Sequence, residues 1–254
     1  MSIEFLLLLI GLFVVAILYS SVGHGGASGY LAMMSLTSYG LMESGWLKQH
    51  AWFLNLLVAS LAFYHYRKEG FHDIKLTMPF IIASIPMAFI GGYFLIDGAM
   101  YDLLLSLTLI WAAWRLYGSI SIDEMNNTSL PTTLQAIPWG AGIGLASGII
   151  GVGGGIFLSP IVLLKKWAPP KTIAATSAIF IWVNSMAGLA GAGASGQLNL
   201  EIEILTYFTI IVIIGGLIGS SYGAKIASQS LIRKLLIGIL VIAAAKRLIE
   251  LIIF

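Results

Sequence analysis

The stretch Gly151-Val152-Gly153-Gly154-Gly155 places four glycines in five residues of apolar sequence. It lies within residues 125–164, a segment that contains no Asp, Glu, Lys or Arg. Glycine weakens a helix, because it packs no side chain and loses the most backbone freedom on folding. At membrane depth, a broken helix is tolerated only inside protein or beside a water-filled cavity. The run therefore predicts a functional break between two buried helices.

The composition indicates an integral membrane protein. Of 254 residues, 59% are hydrophobic and 9% are charged, and the mean hydropathy is +0.96. A soluble domain carries about 25% charged residues, so this chain lacks the surface that a soluble protein needs. The net charge of +2 gives no reason to expect nucleic acid as a partner. The absence of cysteine excludes disulfides and cysteine metal sites.

The apolar segments predict an all-α membrane protein, since about 20 apolar residues span a bilayer. A polar linker, residues 119–132, separates a first membrane repeat (1–118) from a second (133–254) within a single membrane domain. Each repeat contains five segments. They lie near residues 3–22, 28–42, 46–66, 76–96 and 100–118, and near residues 133–151, 156–165, 172–195, 203–224 and 230–252.

Ordered matches between the two halves predict the repeat. Residues 23–29 read Gly-His-Gly-Gly-Ala-Ser-Gly and form a looser copy of the glycine run. Gly23 and Gly151 are 128 positions apart, and Asn55 and Asn184 are 129 apart. Matches that keep their order and nearly constant spacing indicate two copies of one unit.

The charges of the loops predict that the two repeats are inverted. Residues 67–75 carry Lys and Arg, whereas the corresponding loop, residues 196–203, carries Glu. The signs exchange at the next pair of loops, acidic at 97–102 and basic at 225–234. Because Lys and Arg favour the cytoplasmic side, corresponding loops lie on opposite sides of the membrane. Transporters that work by alternating access use inverted-topology repeats of this kind.

The arm that follows the second glycine run is too short to span the membrane. Residues 156–164 would form about 14 Å of helix, roughly half of the hydrocarbon core. We therefore expect a glycine-broken hairpin in each repeat. The longer arm in the first repeat leaves open whether the hairpins fully span the membrane or re-enter it.

The glycine run continues as Ile156-Phe157-Leu158-Ser159-Pro160. The complete stretch, residues 151–160, resembles the glycine–proline signature of the sulfite exporter TauE/SafE family. The resemblance covers essentially the whole chain. It implies a multi-pass permease of the prokaryotic cell membrane that exports a small anion, such as sulfite or an organosulfur oxyanion, without a cofactor. The first copy departs from the signature, with Ala27 at the third glycine position and no proline. This departure leaves the substrate open.

A helix that begins after glycines presents unpaired N–H groups and the positive end of its dipole, which suits an oxyanion. We expect the substrate to bind at the membrane midplane, where two such helix starts meet. The candidate residues are Gly23, His24, Gly25, Gly26, Ser28 and Asn55 in the first half, and Gly151, Gly153, Gly154, Gly155, Thr176, Ser177 and Asn184 in the second.

Each candidate has a structural alternative. His24 either takes up a proton with the anion or stays a neutral ring bonded to a carbonyl. The asparagines line the site or hydrogen-bond between helices, and the glycines bind the anion or permit close helix packing.

Other functional classes fit less well. The chain has no His-Glu-x-x-His motif, no Gly-x-Ser-x-Gly motif and no cysteine, so we expect neither an enzyme nor a metal site. An anion channel could use the same glycine N–H groups, but the inverted repeat favours a carrier. The expected partners are a small anion and the lipid bilayer. The sequence leaves open the direction of transport, the coupling ion and whether the chain forms a homo-oligomer.

Overall fold

The computed structural model describes residues 2–94, 96, 99–117 and 128–226, together with residues 241, 245 and 249. Within residues 2–226 of that set, the chain forms nine α-helices and a 3₁₀ turn (Ser38–Leu41), with no strand. The helices are α1 (Ile3–Ser20), α2 (Ala27–Ser35), α3 (Ser44–Lys68), α4 (Ile74–Tyr93), α5 (Ala99–Tyr117), α6 (Thr133–Ile150), α7 (Gly155–Leu164), α8 (Pro170–Ala194) and α9 (Ile202–Lys225).

Two sequence predictions concern residues that are largely outside this described set. Most of the tenth predicted segment, near 230–252, and residues 119–127 of the predicted linker lie outside the described part of the chain.

The all-helical membrane architecture is confirmed. Five of the described helices (α1, α4, α6, α8 and α9) are long and apolar enough to cross a bilayer. Large apolar side chains point outward from them, including Ile82 and Phe89 on α4 and Ile210 and Ile214 on α9. An outward apolar surface of this extent suits lipid rather than water. The chain is therefore a multi-pass membrane protein.

The two helices that follow the glycine runs are short. The nine residues of α2 and the ten of α7 correspond to about 14 and 15 Å, roughly half of the hydrocarbon core. The predicted segment 28–42 was too long, because α2 ends at Ser35. The Leu36 and Thr37 N–H groups bond back to carbonyls three residues earlier, and Thr37 is extended at φ −123°. This tightened turn ends the helix.

Rows of glycine hold two pairs of helices at backbone contact. A Cβ on Gly144 of α6 would lie 2.7 Å from the Ser84 Cα atom of α4. Small residues allow membrane helices to approach this closely. Both pairs run parallel, because residue numbers increase in the same direction along the two helices. Gly140, Gly144 and Gly148 face Phe80, Ser84 and Ala88, and Gly215, Gly219 and Gly223 of α9 face Phe13 and Ile17 of α1 and Ser21, which directly follows it.

The long helix α3 connects two ends of opposite charge. Near its start, the Trp46 indole donates to a Glu201 carboxylate oxygen at 3.3 Å. At the far end, about 37 Å away, the Lys171 ammonium donates to the Ala224 carbonyl and lies 4.7 Å from the centre of the Phe71 ring. We define the acidic end by Glu4, Glu43, Glu201 and Glu203, and the basic end by Arg67, Lys68, Lys171 and Lys225.

These contacts fix the directions of six helices. α3 runs from the acidic to the basic end, and α8 runs from the basic end back to the acidic end. α9 begins at the acidic end, as does α1, which is parallel to it. α4 begins at the basic end, as does its parallel neighbour α6.

Candidate functional site

The glycine breaks that precede α2 and α7 meet at the side chain of Asn55. A Cβ on either Gly25 or Gly153 would overlap the Asn55 amide. The same two Cβ positions lie 2.9 and 3.0 Å from Ile181 Cγ2. Asn55 and Ile181 are each the twelfth of 25 residues in α3 and α8. The meeting point is therefore at the middle of the two longest described helices.

Asn55 caps α2 from another helix. Its Oδ1 accepts from the Ala27 N–H at 2.9 Å, and its Nδ2 donates to Ser185 Oγ at 3.2 Å. Because a backbone N–H can only donate, this bond fixes which way the fully buried amide points. Gly26, at the N-cap of α2, has no side chain for this purpose.

The start of α7 has no such cap. Its N-cap residue is Gly154, and the N–H groups of Gly155 and Ile156 donate to no acceptor among the described residues. Gly151, Gly153 and Gly154 have φ values of 95°, 75° and 84°, a left-handed conformation that glycine adopts without strain. Unpaired donors at the positive end of a helix dipole form an anion-binding arrangement.

Asn184 lies on the face of α8 that contacts this break. Its Nδ2 donates to the Phe180 carbonyl at 2.9 Å, and a Cβ on Gly154 would lie 2.8 Å from Phe180 Cε1. The Asn184 Oδ1 atom is buried and has no hydrogen-bond partner in the described part of the chain. A buried acceptor of this kind needs a water or a ligand. Asn55 and Asn184, paired by sequence, thus make different contacts.

His24 connects the first break to α7. Its Nδ1 lies 3.0 Å from the Val22 carbonyl oxygen. Its Nε2 lies 3.2 Å from the Gly155 carbonyl oxygen and 3.1 Å from Ser159 Oγ, and Ser159 Oγ is 2.7 Å from Ser177 Oγ on α8. The ring and the two hydroxyls form one hydrogen-bonded chain.

Thr176, next to Ser177, faces α4 instead. Its hydroxyl oxygen lies 3.1 Å from that of Thr77, which is 3.2 Å from His72 Nε2 in the loop at the basic end. Burial, with a smaller effect of the Arg67 guanidinium, lowers the pKa of His72, while Asp73 opposes this shift. Thr176 therefore belongs to a contact between helices and the surface loop.

The remaining predicted residues contact neighbouring helices. A Cβ on Gly23 would overlap the backbone of Ala174, and one on Gly151 would overlap Lys48. The Ser28 hydroxyl lies 2.8 Å from the Tyr19 hydroxyl. Within the described residues, no three His, Asp or Glu side chains come together as a metal site. The structure thus brings together nine of the predicted residues: His24, Gly25, Gly26, Asn55, Gly153, Gly154, Gly155, Ser177 and Asn184. It turns Gly23, Ser28, Gly151 and Thr176 towards other partners.

Sequence reasoning missed three residues at this site. Ser159 follows Gly155 by four positions and so shares its face of α7, a spacing that could have identified it. Ser185 directly follows Asn184, but only the structure shows that it binds Asn55. Ile181 is one apolar residue in an apolar helix, and no sequence signal distinguishes it.

Comparisons with known proteins agree with the resemblance in the sequence. The family model for the sulfite exporter TauE/SafE matches residues 7–247. The chain is 34% identical over 251 residues to the "Probable membrane transporter protein y4hK" of Sinorhizobium fredii, covering 98% of this chain and 100% of that protein. It is 26% identical over 189 residues to the "Probable membrane transporter protein YunE" of Bacillus subtilis, covering 67% and 66% of the two chains. No solved structure matches the chain significantly.

The family model spans nearly the whole chain, and both relatives are named as transporters rather than enzymes. The described helices supply the membrane-spanning architecture that such a protein needs. The chain belongs to the sulfite exporter TauE/SafE family of membrane transporters.

Proposed function

We propose that this protein is a secondary transporter that exports a small oxyanion, such as sulfite or an organosulfur anion, by alternating access. The anion binds at the start of α7, where the N–H groups of Gly155 and Ile156 have no acceptor among the described residues. The observation that carries this proposal is the meeting of both glycine breaks at Asn55, halfway along α3 and α8. Transporters built from repeats bind substrate at this level, at broken helices.

The helix directions support two inverted repeats. α1 begins at the acidic end, whereas its counterpart α6 begins at the basic end. The pairs α3 and α8, and α4 and α9, are opposed in the same way. The packing follows the same correspondence. α1 of the first half packs on α9 of the second, and their counterparts α6 and α4 pack on each other. An inverted pair gives a carrier two equivalent states that face opposite sides.

The two helix starts at the site are in unequal states, which also favours a carrier. The first N–H of α2 is capped by Asn55, while the first N–H groups of α7 have no acceptor among the described residues. Donors that are already placed and unpaired attract an anion without further reorganisation. In alternating access, the two halves exchange conformations, so unequal caps are expected in any one state.

Ligand binding tests the anion site directly. The melting temperature of the purified protein is measured with sulfite, thiosulfate, a sulfonate and a carboxylate at matched ionic strength. A ligand that binds only the folded protein stabilises it by RT ln(1 + [L]/Kd), about 2.7 kcal/mol at one hundred times Kd. We expect one or more sulfur oxyanions to raise the melting temperature and chloride to leave it unchanged. If neither sulfite, thiosulfate nor the sulfonate stabilises the protein, the proposed substrate class is wrong.

Exchange across liposomes separates a carrier from a channel. Vesicles are preloaded with the stabilising anion, and uptake of the labelled anion is followed with and without the internal load. Alternating access predicts faster uptake into loaded vesicles, because the returning site carries anion. Uptake that is indifferent to the internal anion and does not saturate would establish a channel instead.

A further inference from the structure

We propose that the coupling ion is a proton, and that His24 binds it with Ser159 as the partner that distinguishes its two protonation states. This inference rests on anion transport by this chain. It assigns a role to Ser159 and moves Ser177 from the substrate to the proton site.

His24 has hydrogen-bond partners for both of its protonation states. In the neutral ring, Nδ1–H donates to the Val22 carbonyl and Nε2 accepts from the Ser159 hydroxyl. In the protonated ring, Nε2–H donates to the Gly155 carbonyl, 3.2 Å away, and Nδ1–H keeps its bond to Val22. A histidine with a purely structural role needs partners for one state only.

The hydroxyls of Ser159 and Ser177 reorient as the proton binds. With neutral His24, Ser177 donates to Ser159, which donates to the Nε2 lone pair. When a proton occupies that lone pair, Ser177 turns its O–H away and Ser159 donates to Ser177 Oγ, 2.7 Å away. The only new covalent bond is Nε2–H, formed with a proton from water, and the proton returns to water by the reverse step. Hydroxyl rotation allows this exchange without moving a helix.

The groups that contact the His24 ring are uncharged, so a proton bound to the ring would be the main charge at this place. Tyr19 on α1 faces the ring edge-on, with 6.4 Å between ring centres, and α7 and α8 contribute hydroxyls. Lys48 on α3 lies against the other break, at Gly151, and Lys171 on α8 is turned to the Ala224 carbonyl. His24 and Ser159 are both partly accessible to solvent, as proton exchange requires.

The position of His24 links proton binding to anion binding. A Cβ on Gly155, the first residue of α7, would lie 3.4 Å from His24 Cδ2. An imidazolium beside this helix start attracts the anion that the unpaired N–H groups bind, strongly so in an apolar surrounding. By linkage, a bound anion strengthens proton binding by the same factor. Proton and anion therefore travel together.

Proton movement with the anion provides the first test. Liposomes containing a pH-sensitive dye receive thiosulfate or methanesulfonate, which do not titrate between about pH 5 and 8, the range in which histidine acts. Because proton and anion enter together, the wild type should acidify the lumen in proportion to the anion taken up. His24→Gln should move anion with at least tenfold less proton. Ser60→Ala removes an exposed hydroxyl elsewhere, bonded to the Leu56 carbonyl, and should match the wild type.

Ser159→Ala tests the partner exchange. The neutral ring loses its donor while the protonated ring keeps the Gly155 carbonyl, so half-maximal transport should move to higher pH by half a unit or more. Ser159→Thr should restore the wild-type profile. A profile that is unchanged in Ser159→Ala, or tight proton coupling in His24→Gln, would overturn the proposal. Melting temperatures of all variants identify any that fail to fold.

The His24 ring itself provides a readout that does not depend on transport. Histidine-labelled protein is titrated by NMR, with His24→Gln assigning the signal. We expect the His24 ring to titrate and its midpoint to move to higher pH in Ser159→Ala. A ring that stays in one protonation state across the pH range in which the protein transports the anion contradicts the inference. If the ring titrates but no anion binds or moves in the wild type, the transport proposal fails while the proton site stands.

Discussion

Alanine at the third position of the first glycine run has a local explanation. Ala27 and Gly155 are both first residues of their helices, and neither has the positive φ that requires glycine. At Gly155, a Cβ would overlap the Ile181 side chain, so glycine is needed there for space. The first copy therefore keeps its break with alanine, because its left-handed positions are Gly23 and Gly26, at φ 77° and 103°.

Replacing the two asparagines separates a structural role from a binding role. Asn55→Ala removes the cap of α2 and should cost about 0.5–2 kcal/mol of stability. Asn184→Ala removes only an unpaired Oδ1 and one bond within its own helix, so its melting temperature should stay near the wild type. An anion accepts hydrogen bonds, so it can bond this amide only through Nδ2, turned from the Phe180 carbonyl to the anion. If Asn184 binds in this way, Asn184→Ala weakens anion binding at least tenfold. Normal anion binding in this variant would remove Asn184 from the site.

A matched pair of glycines tests the backbone site at α7. Gly154 and Gly70 have φ values of 84° and 80°, so alanine at either costs roughly 1–2 kcal/mol in backbone strain. Gly70 has open space around it in a loop, whereas Gly154 lies at the N-cap of α7. Gly154→Ala should lose anion binding, and Gly70→Ala should bind as the wild type does. Equal affinities, measured by anion-dependent melting, would show that Gly154 is only a turn residue.

At the scale of elements, the glycine rows set how closely the helices approach. On α6, a Cβ on Gly144 would overlap the Ser84 carbonyl, whereas Gly142 faces open space two residues earlier. Gly144→Ala should therefore force α4 and α6 apart and cost about 1–3 kcal/mol. Gly142→Ala should be neutral or gain up to about 1 kcal/mol in helix propensity. Melting temperatures decide between them, and equal values would mean that the contact between α4 and α6 is loose.

At the scale of the whole molecule, the two charged ends predict the orientation in the membrane. Single cysteines at Lys68 and Lys166 should be protected from an impermeant thiol reagent in intact cells, and cysteines at Glu43 and Glu201 should react. The background contains no cysteine, which makes the labelling specific. Positions 68 and 201 lie at opposite ends of α3. Labelling of both from the same side would rule out the inverted repeat.

The sequence by itself determined the membrane class, the family and the places where the helices break. Composition and apolar length carry this information locally, since a segment of about 20 apolar residues is stable only in lipid. The glycine run also permits the left-handed turns at Gly151, Gly153 and Gly154, because backbone freedom is a property of the residue. The end of α2 at Ser35 was missed, since only hydrogen bonds of the folded chain show it.

Only the tertiary structure decided which residues share the site. Gly25 and Gly153 meet at Asn55, and His24 reaches Ser159 on a helix 135 positions further along the chain. Sequence similarity paired Asn55 with Asn184, yet one caps α2 and the other retains an unpaired acceptor. Such partners are set by how helices pack against one another. Packing depends on the shapes of all the contacting side chains at once, which no local pattern records.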